Sequence, residues 1–239
     1  MQTKMLQDEK VKALGIIAGG IVHEIGNCLN YMHYHTIYLQ KKLAYDPDIK
    51  ESIDDVDKGV NNITEITSNL RKFGSGGVKE IETFLLNRLI GSALTYAQDR
   101  TETIEVKNSI KEDIEAAGYP GELLHVFLNL ITNASYALNS IEKEDKIIEV
   151  SCYKKNKKIQ VSFKDNGPGI EEEKIKNIFT PFYTTKTTNK GMGLGLSICA
   201  QIIRNHGSEL KVKSKLGEFT EFSFEAPCDA ALIPDNETK

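Results

Sequence analysis

Apolar positions recur at steps of three or four from residue 6 to residue 45, with Leu14, Ile17, Ile21, Ile25, Cys28 and Met32 on the repeat. That spacing predicts one long helix whose stripe must be buried against a partner. Asp46-Pro47-Asp48 is a turn signal, and proline can also open the next helix. A second stripe, Ile49, Ile53, Val56, Val60, Ile63, Ile66 and Leu70, predicts a helix over residues 48–72. Two long helices joined by a short turn form an antiparallel hairpin. One hairpin has too little surface to bury both stripes, and two make a four-helix bundle, so a homodimer through the hairpin is expected.

Beyond Gly74-Ser75-Gly76-Gly77, the one clear linker signal, the pattern changes. Helices are expected near 84–98, 121–141, 171–178 and 194–206, and strands near 103–110, 146–153, 157–164, 209–214 and 219–226. The expected organisation is a helical hairpin over 1–74, a linker over 75–80, a second domain over 81–228 and a polar, disordered tail over 229–239. The predicted fold class is multidomain: a helical hairpin forming a dimeric four-helix bundle, then an α+β sandwich with helices on one face of a mixed sheet.

Composition narrows the function classes. The 239 residues are 40% hydrophobic and 27% charged, ordinary for a soluble globular protein. A net charge of −4 gives no electrostatic case for nucleic-acid binding. The lysines at 154, 155, 157 and 158 fall between two strand patterns and read as a solvated hairpin tip. Four cysteines, at 28, 152, 199 and 228, lack CxxC spacing and fit reduced thiols of a cytoplasmic protein. No apolar run reaches the length of a membrane span. His23 follows only 22 residues of chain, with the helical pattern already running by Leu6. A longer parent protein is therefore expected, with an input domain upstream, the region through which the parent could be anchored to a membrane.

Chemistry-bearing residues fall in four places. His23 and Asn27 lie one helical turn apart, with Glu24 beside them, and His23 points away from the apolar stripe. That suits an accessible nucleophilic imidazole, a carboxylate to orient it and an amide to position water. Asn129 and Asn133, four apart on the apolar run from His125 to Leu138, share a face where amide oxygens are hard neutral ligands for Mg²⁺, or else are simply exposed. Asp165-Asn166-Gly167-Pro168-Gly169-Ile170 follows a strand and reads either as an ordinary turn or as a place where backbone and ligand approach closely. Gly191-Met192-Gly193-Leu194-Gly195-Leu196 precedes a helix and offers backbone N–H groups to an anion, though a lone GxGxG is weak evidence. Between the glycine clusters, Phe179 and Phe182 anchor a hydroxyl-rich loop carrying Thr185 and Lys186, suited to a lid over phosphates. His206, before Gly207 at a helix end, is placed where a cation suits the helix dipole.

Together these segments resemble the two-component sensor histidine kinases over about residues 8–227. His23-Glu24-x-x-Asn27 resembles the H-box and Asn129 through Ala134 the N-box. Asp165 to Gly169 resembles the G1 box, Phe179 to Phe182 the F-box, and Gly191 to Gly195 the G2 box. The resemblance implies a GHKL-type ATP-binding domain and an autophosphorylating kinase. ATP and Mg²⁺ are the implied cofactors, His23 the phospho-acceptor and Glu24 its base or orienter. Asn27 would orient water for dephosphorylating the partner, a response-regulator receiver domain whose aspartate takes the phosphoryl group. Asn133 is the implied Mg²⁺ ligand, with Asn129 near the phosphates and Asp165 accepting from the adenine amino group. Gly167, Gly169 and Ile170 would shape the adenine pocket. Phe182, Thr185, Lys186, Gly191, Gly193, Leu194, Gly195 and Leu196 would line the phosphate side, Lys186 reaching the terminal phosphates. One departure stands out: Cys28 occupies the position after Asn27 where the family usually has proline, so the helix past His23 is expected to be straighter. A degenerate dimeric nucleotide-binding scaffold and another GHKL-type ATPase are the alternative readings.

Overall fold

The structure is a computed structural model. It describes residues 25, 29, 32–39, 49, 53, 54, 56, 57, 59 and 60, and then 80–110, 112–156, 158–186 and 193–234. The chain divides into two compact units, Met1–Val78 and Lys79–Lys239.

In the first unit the described residues are helical. Leu29, Ile53 and Val60 are buried. Met32 and Val56, both on the expected apolar stripes, are 46% and 49% exposed in a single copy. One carboxylate oxygen, Oδ1 of Asp57, lies 2.9 Å from His33 Nδ1 and accepts a hydrogen bond from the buried Thr36 hydroxyl at 3.0 Å. A buried hydroxyl needs such a partner, and this one ties residues 33 and 36 to residue 57.

The second unit is an α+β domain. In chain order it comprises β1 (Glu82–Leu85), α1 (Leu86–Tyr96), α2 (Gln98–Thr101), β2 (Glu105–Asn108), β3 (Glu115–Gly118) and α3 (Pro120–Asn139). There follow β4 (Ile147–Lys155), β5 (Lys158–Asp165), α4 (Glu172–Ile175), α5 (Gly195–Asn205), β6 (Lys211–Lys215) and β7 (Phe219–Pro227). The main sheet runs β2-β4-β5-β7-β6, with β2 and β4 parallel and the other pairs antiparallel. β1 and β3 form a separate antiparallel pair. That pair was not expected. The helix expected near 84–98 begins at Leu86, and Phe84 and Leu85 belong instead to the strand Glu82–Leu85. Its partner Glu115–Gly118 is too short and alanine-rich to show a strand pattern.

The core follows from two periodicities. On β5, Ile159, Val161, Phe163 and Asp165 are all buried, the alternate residues of one sheet face. On α3, Leu123, Val126, Phe127, Leu130, Ile131, Ala134 and Leu138 are buried, the three-and-four pattern of a helix face laid on a sheet. Phe127 joins the two layers, its ring centroid 5.5 Å from Phe163 and 6.3 Å from Phe224. The lysine tip is as expected: β4 and β5 pair antiparallel to Lys155 opposite Lys158, and Lys154 and Lys155 are exposed.

Two expectations are corrected. His206 does not serve as a cation at the helix end; it is 2% exposed. Its Nδ1 sits 2.8 Å from the Ile202 carbonyl and its Nε2 accepts the Tyr119 backbone N–H at 3.0 Å, so the ring carries one proton, on Nδ1. The chain does not leave the domain at residue 229 as a disordered tail. Asp229 caps the 3-10 turn Ala230–Leu232, Ile233 is buried, and Pro234 stands against Gly207.

Candidate functional site

The candidate site is built along α3. Proline at its first position starts the helix. Asn129 and Asn133, one turn apart, are half-buried beside the core face. The Asn133 amide nitrogen donates to Asn129 Oδ1 at 2.9 Å, which leaves Asn133 Oδ1 as an outward acceptor. Lys186 donates to that oxygen from Nζ at 2.9 Å, and its ammonium lies 4.4 Å from the centroid of the Tyr136 ring. Residues 129, 133 and 186 are thus one connected cluster.

Gly195, the first residue of α5, completes the cluster by lacking a side chain. A Cβ there would stand 2.6 Å from the Asn129 amide nitrogen, so any larger residue would push the Asn129 amide out of its place. Gly193 has φ +69°, and a Cβ on it would lie 2.5 Å from the Phe182 carbonyl carbon and from the Tyr183 oxygen. The Gly193 carbonyl accepts the Phe182 N–H at 3.0 Å. These contacts pin the aromatic segment to the glycine segment. Phe182 itself takes φ +67° and is 58% exposed, so it is not the core anchor that its aromatic character suggested. Phe179 is closer to that role, packing edge-on against Phe222. Leu194 is buried and Leu196 half-buried, while Thr185 is exposed.

A second cluster closes the other end of α3. The period-two pattern of β5 turns Asp165 into the helix-covered face, where only 5% of it is exposed. Its Oδ1 accepts the Gly167 N–H at 2.9 Å. Burial outweighs the backbone hydrogen bonds from Gly167 and Thr220 and pushes the carboxyl up to about 6. A Cβ on Gly167 would come within 4 Å of Ala137 and Leu138, so this turn rests on the C-terminal half of α3. Asn166 pegs the turn to the start of β4, accepting the Ile147 N–H and donating to the Asp145 carbonyl. Ile170 N–H donates to the Ser214 hydroxyl at 2.8 Å. Gly169 has φ +70°, and a Cβ on it would run into the Lys215 carbonyl. Gly169→Ala should therefore destabilise this domain by about 2–4 kcal/mol, combining positive-φ strain with a backbone collision. Thermal melting is expected to fall by roughly 5–15 °C; an unchanged melting temperature would mean the turn is not held this tightly.

Asn129 and the Asp165 turn meet α3 about two turns apart, roughly 12 Å along its axis at 1.5 Å per residue. Along that distance the structure sets amide oxygens and an ammonium at one end and a recessed carboxyl at the other. Tyr136 and Ser214 take part without having been singled out in the sequence; Tyr136 falls on the face of Asn129 and Asn133 by its spacing. His23, Glu24, Asn27, Cys28 and Gly191 lie outside the described residues. Among the described residues no group of three or more His, Cys, Asp or Glu is placed to hold a metal, and no helix is long and apolar enough to cross a membrane.

Comparison with known proteins gives this arrangement a family. Residues 118–230 match the model of the histidine kinase-, DNA gyrase B-, and HSP90-like ATPases. The chain is 29% identical to sporulation kinase C of Bacillus subtilis (strain 168), over 92% of this chain and 50% of that protein. It is 27% identical to the sensor histidine kinase ZraS of Escherichia coli (strain K12), over 95% of this chain and 48% of that protein. It thus spans about half the length of these curated relatives. Among solved structures, the catalytic domain of the histidine kinase ThkA is 32% identical with a TM-score of 0.54, covering 62% of this chain and 95% of that domain. The chain belongs to the two-component sensor histidine kinases and carries their GHKL-type catalytic domain.

Proposed function

We propose that the second unit binds Mg·ATP along α3 and delivers its γ-phosphoryl group to His23, from which an aspartate of a response-regulator receiver domain takes it. The observation that carries the reading is the pairing of a recessed carboxyl, Asp165, with the Asn129–Asn133–Lys186 cluster on one helix. Asp165, only 5% exposed, supplies an acceptor for the adenine amino group. Gly167 and Gly169 keep the turn low enough for the base to approach. Asn129 and Asn133 face the phosphates, with the Lys186 ammonium held against the Asn133 oxygen.

Asn133 fits a hard cation, because its carbonyl oxygen already accepts a positively charged donor at 2.9 Å. Magnesium held by Asn133 would supply charge neutralisation to the phosphates. The neutral form of the His23 imidazole carries a free ring-nitrogen lone pair. One ring nitrogen attacks the γ-phosphorus in line, the bond to the bridging oxygen breaks, and ADP leaves. Glu24 holds the proton on the other nitrogen throughout. Asn27 positions water for hydrolysis of the phosphorylated regulator. Homodimerisation through the hairpin places Met32 and Val56, half-exposed in one copy, at a surface that a second copy covers.

The pH dependence of binding tests the nucleotide site. The folded Asp165 carboxyl sits at about 6, above its ordinary value of 3.8. Protonation therefore stabilises the nucleotide-free domain below about pH 4, and that stabilisation is lost as pH rises through 6. A donated adenine amino proton favours the carboxylate, so binding releases a proton below pH 6. The affinity ratio of wild type to Asp165→Asn should fall about tenfold from pH 7 to pH 5, following the ionised fraction. Comparing the two proteins at each pH cancels the titration of the nucleotide itself. Parallel pH profiles would remove Asp165 from the site.

A further inference from the structure

The acceptor left outward by the amide pair is occupied by a cation of the chain itself. Asn133 spends its nitrogen on Asn129 Oδ1, so its own oxygen is oriented outward, and the Lys186 ammonium stands 2.9 Å from it. Tyr136, three residues on, presents its ring to the same ammonium at 4.4 Å. The ammonium is thus held between a neutral oxygen and an aromatic face, two groups that both favour a cation. An ammonium and a divalent metal ion both seek this oxygen, and their charges repel at such a separation. Lys186 and Tyr136 are 50 residues apart in the chain, and Lys186 and Asn133 are 53 apart.

We propose that Lys186 is the resident counter-cation of Asn133, holding the metal position in the nucleotide-free protein and yielding it to Mg²⁺, so that Lys186 sets how strongly nucleotide binding depends on metal. The inference rests on the reading of Asn133 as the metal-side ligand. Two consequences act in the same direction. With metal-free ATP, Lys186 remains in place and supplies the positive charge that the phosphates need. With Mg·ATP, Lys186 must leave Asn133, and that displacement opposes binding. Removing the ammonium weakens the first complex and eases the second.

The experiment measures the dissociation constants of ATP with EDTA and of ATP with excess Mg²⁺, by calorimetry on the whole chain. The variants are Lys186→Met and Lys186→Arg. The ratio of metal-free to metal-bound constants should rise about tenfold in Lys186→Met, the factor worth one charge-assisted hydrogen bond. Lys186→Arg, which keeps the charge, should return the ratio to within about threefold of wild type. An unchanged ratio overturns the proposal. If both constants rise together, Lys186 is an ordinary phosphate contact; if neither moves, it is a bystander. Failure of wild type to bind ATP in either condition overturns the nucleotide reading instead, and the counter-cation role with it.

Discussion

Replacing His23 by glutamine should reduce phosphoryl incorporation from γ-labelled ATP to background, a loss of at least about 100-fold, while leaving Mg·ATP affinity within about twofold. Glutamine keeps the size, polarity and hydrogen-bonding capacity of the position but has no basic lone pair, because the amide nitrogen is delocalised into its carbonyl. The transferred group then has no acceptor. Nucleotide affinity should be spared because the residues assigned to it, Asn129, Asn133, Asp165 and Lys186, all belong to the unit Lys79–Lys239, whereas His23 belongs to Met1–Val78. A combined loss of affinity and labelling would show instead that the substitution damages folding. Retention of the label would place the acceptor elsewhere.

The second large effect is expected at Asn133. Asn133→Ala removes the oxygen that faces Lys186 and withdraws the donor that orients Asn129. Losing one neutral oxygen of a magnesium site, together with the alignment of its neighbour, should lower Mg·ATP affinity about 10- to 100-fold, and labelling at subsaturating ATP in proportion. Stability should move the other way or not at all. Position 133 lies inside a 20-residue helix, is only half-buried, and alanine is the better helix former by several tenths of a kcal/mol. An affinity loss with an unchanged or raised melting temperature separates a binding role from a structural one. Unchanged Mg·ATP affinity would contradict the assignment of Asn133.

What the sequence made visible was whatever is written in a local period. The face of α3, the alternation of β5 and the lysine-tipped turn after β4 were all legible because each depends on neighbours two to four residues away. The Asn129–Asn133 pair was legible for the same reason, since a turn of helix fixes their spacing. What escaped depends on partners distant in the chain. β1 and β3 are four residues each and become strands only by pairing across 30 residues. The burial of Asp165 follows from its register on β5, but its upward-shifted carboxyl comes from a helix that arrives from elsewhere in sequence. Gly195 looked like a source of backbone N–H groups; its structural requirement is the Asn129 side chain pressed against it. His206 looked like a dipole-matched cation, and the Tyr119 N–H on its second nitrogen makes it a neutral, buried acceptor. The Lys186–Asn133 contact is of this distant kind too. The family resemblance assigned both residues to the phosphate side but carried nothing about their meeting each other.

The central claim, that the nucleotide site described along α3 serves a histidine nucleophile, is tested most directly by the chemistry of the bond formed. Wild-type protein incubated with γ-labelled ATP and Mg²⁺ is digested, and the labelled peptide is assayed for stability and sequenced. The account predicts a phosphoramidate, labile in acid and stable in base, confined to the peptide that contains His23. An acid-stable label, a label on another peptide, or no label from a protein that binds Mg·ATP would contradict it.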